Sequence, residues 1–484
     1  MIDLRPVLLV TGLSLSVLAL AMGFPAAVDA VHGDPDWRIF LASSGVTLLL
    51  GLLLAAANLS GRHKVFSIRQ MVLLTVCGWL AASIAGAIPF IFSGLHLSGT
   101  DAWFEAVSGV TASASTVLRG LDHIPPGILL WRALLQWLGG AGFLVMAVIV
   151  LPDLAIGGMQ MFRLESPTGI GDRVLGRGAR VAIRLLTIYC ALTVLLTLLL
   201  WAAGMSRFPA LLHAMSTVSC GGFSTDDGSV GVWRKPAVDW VILFGMLASG
   251  APFIIYLQLW QKHWGQVLRN TQLRWYLALF LLSSLAIGSW LLLTHGVKPL
   301  PSIRHGAFTA ASVLTGTGYA TLDWAEWSGL PVAVLFFLSF VGGCAGSTAG
   351  GLKIFRLQIL FTSARVQLIR LLRPHSVVLP AYERKPVPDQ VRESVLGFLF
   401  VYCLSFAGLA MLLGMVGLDF MSAITASASA LGNLGPGLTQ AIGPVHGFAH
   451  LPDNAKWLLS AAMLYGRLEM FLLISLIVPD FWKH

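Results

Sequence analysis

Charge is what this chain has least of. Asp, Glu, Lys and Arg together make up 11% of its 484 residues, against about 25% in an ordinary soluble domain. Apolar residues reach 56%, and the polar outer faces that a soluble all-helical protein needs are missing. Cysteine is scarce too. Cys77, Cys190, Cys220, Cys344 and Cys403 lie in or beside apolar segments with no CxxC pair, so they read as ordinary buried residues without a disulfide framework. No HExxH, nucleophile elbow, GxGxxG or carboxylate pair supports catalysis. No catalytic residue is assigned, the chain is not read as an enzyme, and no bound organic cofactor is expected.

What is present is apolar length. Windows of ~20 apolar residues, enough for a bilayer core of about 30 Å, recur along the whole chain. The fold class is an all-α polytopic membrane protein. The net charge of +9 is then a topological signal rather than a nucleic-acid surface, and no nucleic-acid partner is expected. The apolar run 7–30 is too long and its start, with Asp3 and Arg5, too weakly basic for a cleaved leader; it reads as a span. A second span over 38–60 ends at Arg62, His63 and Lys64.

From residue 67 a cycle repeats four times: a long span, a short amphipathic piece, a small-residue loop, and another span. The spans fall at 67–93 and 128–150, 179–203 and 237–260, 273–294 and 330–373, and 392–417 and 455–479. Aligned on the last small residue of each loop, Ala114, Gly222, Gly318 and Gly435 come into register, at separations of 108, 96 and 117 residues. Six positions earlier every copy has serine: Ser108, Ser216, Ser312 and Ser429. Eight earlier stand the small Ala106, Ala214, Ala310 and Ser427; four earlier, the aliphatic Val110, Val218, Leu314 and Leu431. Similarity at long, regular spacing marks duplicated units. They divide the chain into an N-terminal two-span hairpin (1–66) and pore repeats at 67–152, 153–262, 263–374 and 375–484: about ten spans and four re-entrant half-helices around one pore. A ten-residue helix is roughly 15 Å long, half a membrane, so each short piece dips in and returns.

Lys and Arg give the orientation. Arg163, Arg173, Arg177, Arg180 and Arg184 cluster after repeat one, Lys262, Arg269 and Arg274 after repeat two, and 353–392 is the most basic region. By the positive-inside tendency these face the cytoplasm, with both termini, and the four loops open outward beside Asp122, Asp226, Asp227, Asp323 and Glu326. The run Arg365, Arg370, Arg373 suits anionic lipid heads and a cytosolic partner equally.

Irregular backbone survives at membrane depth only inside protein or along a watery cavity. Gly- and Thr-rich loops let carbonyl oxygens replace the water shell of a cation, and a half-helix ending before each loop aims its negative end there. The loops contain no carboxylate, which suits a monovalent cation better than a divalent one. The candidate ion filter is Thr111, Ala112, Ser113 and Ala114; Ser219, Cys220, Gly221 and Gly222; Thr315, Gly316, Thr317 and Gly318; and Gly432, Asn433, Leu434 and Gly435. The plain alternative, small residues that merely permit helix packing, does not explain four aligned copies.

Two further features stand out. Leu330 to Val341 is about 18 Å as helix, too short to cross alone. It runs into GGCAGSTAGG, whose glycines favour an unwound segment. The gate candidates are Gly342, Gly343, Gly346, Ser347, Thr348, Gly350 and Gly351, with a helix kink as the plainer reading. GSTAGGLK is not a phosphate loop, because Leu352 stands where the lysine belongs. Arg467 lies mid-span, where an unpartnered charge costs several kcal/mol, at about 3 on insertion scales, and is assigned to the gate. Glu469, two positions on, faces elsewhere and reads as structural, meeting another helix or a partner subunit. His446 and His450 sit among Pro444, Gly447 and Pro452 and read as loop rather than metal site.

The four loops, LDHIPPGILLWRALLQWLGGAGF (121–143), GGCAGSTAGGLK (342–353) and YGRLE (465–469) make the chain resemble the TrkH branch of the Trk/Ktr/HKT superfamily of potassium transporters, over nearly its whole length. The resemblance implies a four-repeat pore with a carbonyl filter for potassium, the transported K+ being held at the filter residues. It implies an intramembrane loop obstructing the pore below the filter, with Arg467 beside it and facing the pore. It also implies a homodimer in a bacterial inner membrane on a cytoplasmic TrkA-type ring, which carries the nucleotide. Coupled transport driven by protons or sodium is the competing expectation. The chain departs from the pattern at Ala114, where such relatives have glycine; in plant HKT relatives, loss of that glycine goes with sodium preference. Sodium permeation is thus a further expectation.

Overall fold

The computed structural model describes residues 2–61, 66–151, 156–159, 174–383 and 385–483. The basic residues Arg62, His63, Lys64, Arg163 and Arg173 lie outside this set, as does the Arg177 side chain. Among the described residues seven helices are long and apolar enough to cross a membrane, or up to nine when each of two bent pairs is one span. The chain is an integral membrane protein, with Leu281, Leu282, Leu285, Phe400 and Leu404 facing outward.

The N-terminal hairpin packs Arg5–Ala21 and Gly23–His32 against Trp37–Ala57. The two long helices meet closely where a Cβ on Gly12 would stand 2.6 Å from the Gly51 oxygen, a small-residue crossing suited to lipid. Each following unit is a span, a half-helix, a loop and a second arm. The first span, Ile68–Phe92, starts at a reciprocal capping box between Ser67 and Gln70. The half-helices are Gly99–Thr111, Arg207–Val218, Pro299–Thr315 and Phe420–Gly432. Ser98 caps the first and Asp419 the fourth, accepting the backbone N–H three residues on at 3.1 Å in each case. All four are buried along their last two turns, and the core of the molecule lies around them.

The helix Pro126–Ile149 is a wedge between the first two half-helices. A Cβ on Gly139 would overlap the Val110 carbonyl, and one on Gly140 would lie 2.8 Å from the Ser219 Cβ. No larger residue fits there.

Two expected spans are broken. Pro236–Gly250 and Phe253–Trp260 meet at 93°, because Pro252 forces Ala251 into extended backbone (ψ 156°) and brings no N–H to continue the helix. Asp453–Arg467 and Phe471–Ile477 meet at 108°, turned by positive φ at Glu469 (57°) and Met470 (34°). In the third unit Leu330–Val341 and Ile354–Leu372 flank the glycine-rich segment. A two-residue hairpin, Ala381–Tyr382 with Lys385–Pro386, lies in the basic region and departs from purely helical structure. The cysteines also depart from expectation: Cys220 and Cys344 are buried, but Cys77 is half-buried and Cys190 and Cys403 are exposed. Residues 436–452 form turns, with His446 Nε2 3.5 Å from Asp323.

Candidate functional site

All four half-helices end the same way. The carbonyl of the repeated serine accepts the N–H five residues ahead: Ser108 from Ser113 (2.9 Å), Ser216 from Gly221 (2.8 Å), Ser312 from Thr317 (2.9 Å) and Ser429 from Leu434 (2.9 Å). This is the long bond of a Schellman cap, and it requires a left-handed residue at the turn. Ala112 (φ 53°), Cys220 (55°), Gly316 (73°) and Asn433 (52°) supply it. Two residues on, Ala114 (60°), Gly222 (75°), Gly318 (80°) and Gly435 (98°) are left-handed again, and the residue between is not. Alternating handedness breaks the up-down alternation of an extended strand, so successive carbonyls need not point to opposite sides.

The loops converge. A Cβ built on Gly222, Gly318 or Gly435 would lie 3.0, 3.4 or 2.6 Å from the Ala114 methyl. Ala114, Gly222 and Gly318 also border a pocket with Asp226, Pro436 and His446. The Asp226 carboxyl there is held above the ordinary carboxylate range by burial, with the Asp122 and Asp227 charges adding to it. The side chains of Thr111 and Ser219 turn back onto their own helices, to Val107 and to Met215 and Ser216. Thr315 and Thr317 share a 2.7 Å hydroxyl contact.

Sequence reasoning missed the braces behind the loops, which come from the wedge helix. Arg132 and Gln136, one turn apart and fully buried, both reach the second loop. Arg132 Nε donates to Glu105 at 2.7 Å, and its other nitrogens donate to the Ser224 carbonyl and the Thr116 hydroxyl, both at 3.0 Å. Glu105 also accepts the Val117 N–H (3.0 Å). Gln136 donates to the Gly221 carbonyl (2.8 Å) and accepts from the Phe223 N–H (3.2 Å) and the Ser216 hydroxyl.

The glycine-rich segment packs against the loops where their half-helices end. The helix before it ends at Gly342 (φ 71°). Cys344 and Gly346 tie it to the second unit: the Cys344 N–H reaches the Gly250 carbonyl (3.0 Å), and the Phe253 N–H reaches the Gly346 carbonyl (2.9 Å), while the Gly343 carbonyl accepts the Ile354 N–H (3.1 Å). Ser347 turns back on Cys344 (2.7 Å). The Thr348 hydroxyl donates to the Val218 carbonyl (2.9 Å) and lies 3.2 Å from the Cys220 sulfur. A Cβ on Gly350 would overlap the Gly432 carbonyl, and Gly351 has φ 79°. The segment therefore contacts the base of loops two and four. Arg467 Nη1 donates to the Thr348 carbonyl (3.1 Å), and its guanidinium lies 4.1 Å from the Phe143 ring centre. With its amide nitrogen facing the Met463 carbonyl (3.1 Å), Asn433 accepts the Arg467 N–H (3.2 Å). Lys353 Nζ donates to Ala349 (2.7 Å) and shares the Phe143 ring. Glu469 pairs with Arg356 at 2.6 Å, on a different helix as expected.

These features define a class: a polytopic helical membrane protein whose four span–loop–span units place re-entrant half-helices around one pore. Within that class the chain belongs to the TrkH family of cation transport proteins, which it matches over residues 46–482. It is 38% identical over 486 residues to the Trk system potassium uptake protein TrkI of Halomonas elongata, covering 99% of this chain and 97% of that one. It is 35% identical to the Trk system potassium uptake protein TrkH of Escherichia coli, covering 99% of each. The crystal structure of the potassium transporter TrkH from Vibrio parahaemolyticus matches with a TM-score of 0.91 at 33% identity, over 100% of both chains.

Proposed function

We propose that this chain is a channel-like potassium uptake protein, conducting dehydrated K+ through a filter of backbone carbonyls from its four loops. One observation carries the reading: four loops with one cap, one handedness pattern and no carboxylate converge within van der Waals reach of a single residue, Ala114. Oxygen dipoles without full charge suit a large monovalent ion. The potassium uptake named for the relatives agrees. The repeat boundaries at 152, 262 and 374 belong to this reading.

The segment 342–351 is the gate, and Arg467 is its latch: the segment contacts the base of two loops, and the arginine holds its Thr348 carbonyl. Opening requires this segment to withdraw. A cytoplasmic TrkA-type ring, carrying the nucleotide, is the natural driver, acting on a homodimer in the inner membrane with both termini and the basic region 353–392 inside. Reversal potentials in mixed potassium and sodium, measured on reconstituted protein with and without the ring, test this. Purified protein that moves no monovalent cation with any partner or nucleotide would overturn it.

A second reading, uptake coupled to protons or sodium, is favoured by the buried group of Lys353, Arg356, Arg467 and Glu469 around the gate, since coupled carriers use intramembrane ionisable residues. Uptake driven by a proton gradient at zero potassium gradient would establish it. A sodium-permissive pore is the variant of the first reading suggested by Ala114.

A further inference from the structure

The four loops interlock in a ring. At Gly435 the missing side chain makes room for the Ser113 carbonyl, and a Cβ there would overlap that oxygen. At Gly318 the place of a Cβ lies 2.6 Å from the Leu434 carbonyl oxygen. At Gly222 it would overlap the Thr317 carbonyl. The middle carbonyl of each loop thus leans over the last residue of its neighbour, from loop one to four, four to three, and three to two. None of these three oxygens accepts a hydrogen bond from a described residue.

The ring closes with loop two over loop one, and there the pattern breaks. The last residue of loop one is Ala114, whose methyl stands at the convergence point. The middle carbonyl of loop two, on Gly221, accepts from Gln136 Nε2 at 2.8 Å. The amide of Gln136 cannot turn around without loss. The Phe223 N–H is only a donor and must face Oε1, which the Ser216 hydroxyl also reaches. Gln136 itself is fully buried, so an unpaired amide there would be costly.

We propose that Gln136 is a specificity-determining positioning residue, which ties the Gly221 carbonyl back so that this level of the pore presents three free carbonyls and the Ala114 methyl. The proposal rests on the filter reading above. Discrimination between K+ and Na+ depends on the number and field strength of coordinating dipoles. A ring short of one oxygen asks less of the smaller ion, which completes its shell with fewer ligands. The amide and the methyl act as a pair. Freeing the carbonyl alone leaves the methyl in its place, and removing the methyl alone leaves the carbonyl tied.

The test is bi-ionic reversal potentials on the full chain in lipid, for wild type, Ala114→Gly, Gln136→Met and the double variant. The double variant should raise the K+-to-Na+ permeability ratio about threefold or more beyond the product of the single changes, the signature of direct coupling. Should Gln136→Met fail to assemble, Ser216→Ala removes only the hydroxyl that pins the amide, and combined with Ala114→Gly it should shift the ratio the same way by less. A purely structural brace would lower the amount of folded protein and leave the ratio unchanged. Folded double variants whose ratio equals the product of the singles overturn the proposal while leaving the potassium pore standing. A wild-type chain that passes no cation overturns both.

Discussion

The guanidinium of Arg467 donates to the carbonyl of Thr348 at 3.1 Å, while the Thr348 hydroxyl donates to the Val218 carbonyl at the base of loop two. One residue of the glycine-rich segment is thus held from both sides. A hydrogen bond to a charged group contributes about 1.5–3 kcal/mol, so Arg467→Ala should favour the withdrawn segment by about tenfold or more. Potassium flux from loaded vesicles should rise without the ring partner; unchanged or lower flux from a folded variant would remove Arg467 from the gate.

Ala114 has φ 60°, a region in which an L-residue costs about 1–2 kcal/mol relative to glycine. Ala114→Gly should therefore stabilise the loop and modestly raise the preference for potassium over sodium. Relative permeability measured in mixed salt is the readout, and an identical ratio would show that the methyl does not set selectivity by itself.

Bulk at the ring should close it. Gly222→Val or Gly318→Val forces a branched side chain into left-handed backbone and onto a neighbouring carbonyl. Flux should vanish in any variant that still elutes as a folded species, and normal conduction through such a variant would refute the filter assignment.

Arg356 and Glu469 are 1% and 5% exposed. Breaking a buried pair from one side costs about 3–5 kcal/mol because a lone charge is left behind. Glu469→Ala should lower the thermal unfolding midpoint in detergent sharply. The neutral pair Arg356→Met with Glu469→Leu should recover part of the loss, and a double variant no better than the single would assign the damage to packing instead.

The raised carboxyl of Asp226 predicts a pH dependence on the side where this pocket opens. Its proton returns at a higher pH than on a free carboxylate, so mild acidification removes negative charge from the pocket. Uptake at low potassium should fall as the pH on the pocket side drops, beginning above the ordinary carboxylate range, and Asp226→Asn should show less of that fall. A profile identical in the two proteins would exclude this carboxyl.

The repeated serines were legible because duplication repeats them at fixed offsets, but their work was not. Alignment shows Ser216 and Ser312 as equivalent, whereas only the fold shows their carbonyls taking the same cap bond while their hydroxyls go to Gln136 and Tyr319. The glycine-rich interruption after Val341 was equally readable, since glycine at that density cannot favour helix. Nothing in the sequence marks Arg132 and Gln136 as braces, because the loop-two carbonyls they hold lie 92 and 85 residues away and no periodicity encodes that distance. Pro252 did carry a signal for the 93° bend. The turn at Glu469 and Met470 had none, as neither residue favours positive φ.

The wedge helix serves loop two from unit one, and no described residue gives loops three or four the same amide brace. Four identical subunits could not be built this way, because one substitution would alter every quadrant at once. Carrying all four quadrants on a single polypeptide lets heredity adjust the opening one quarter at a time. Ala114 is what such a step looks like: a single methyl, placed where a symmetric assembly would have had to accept four.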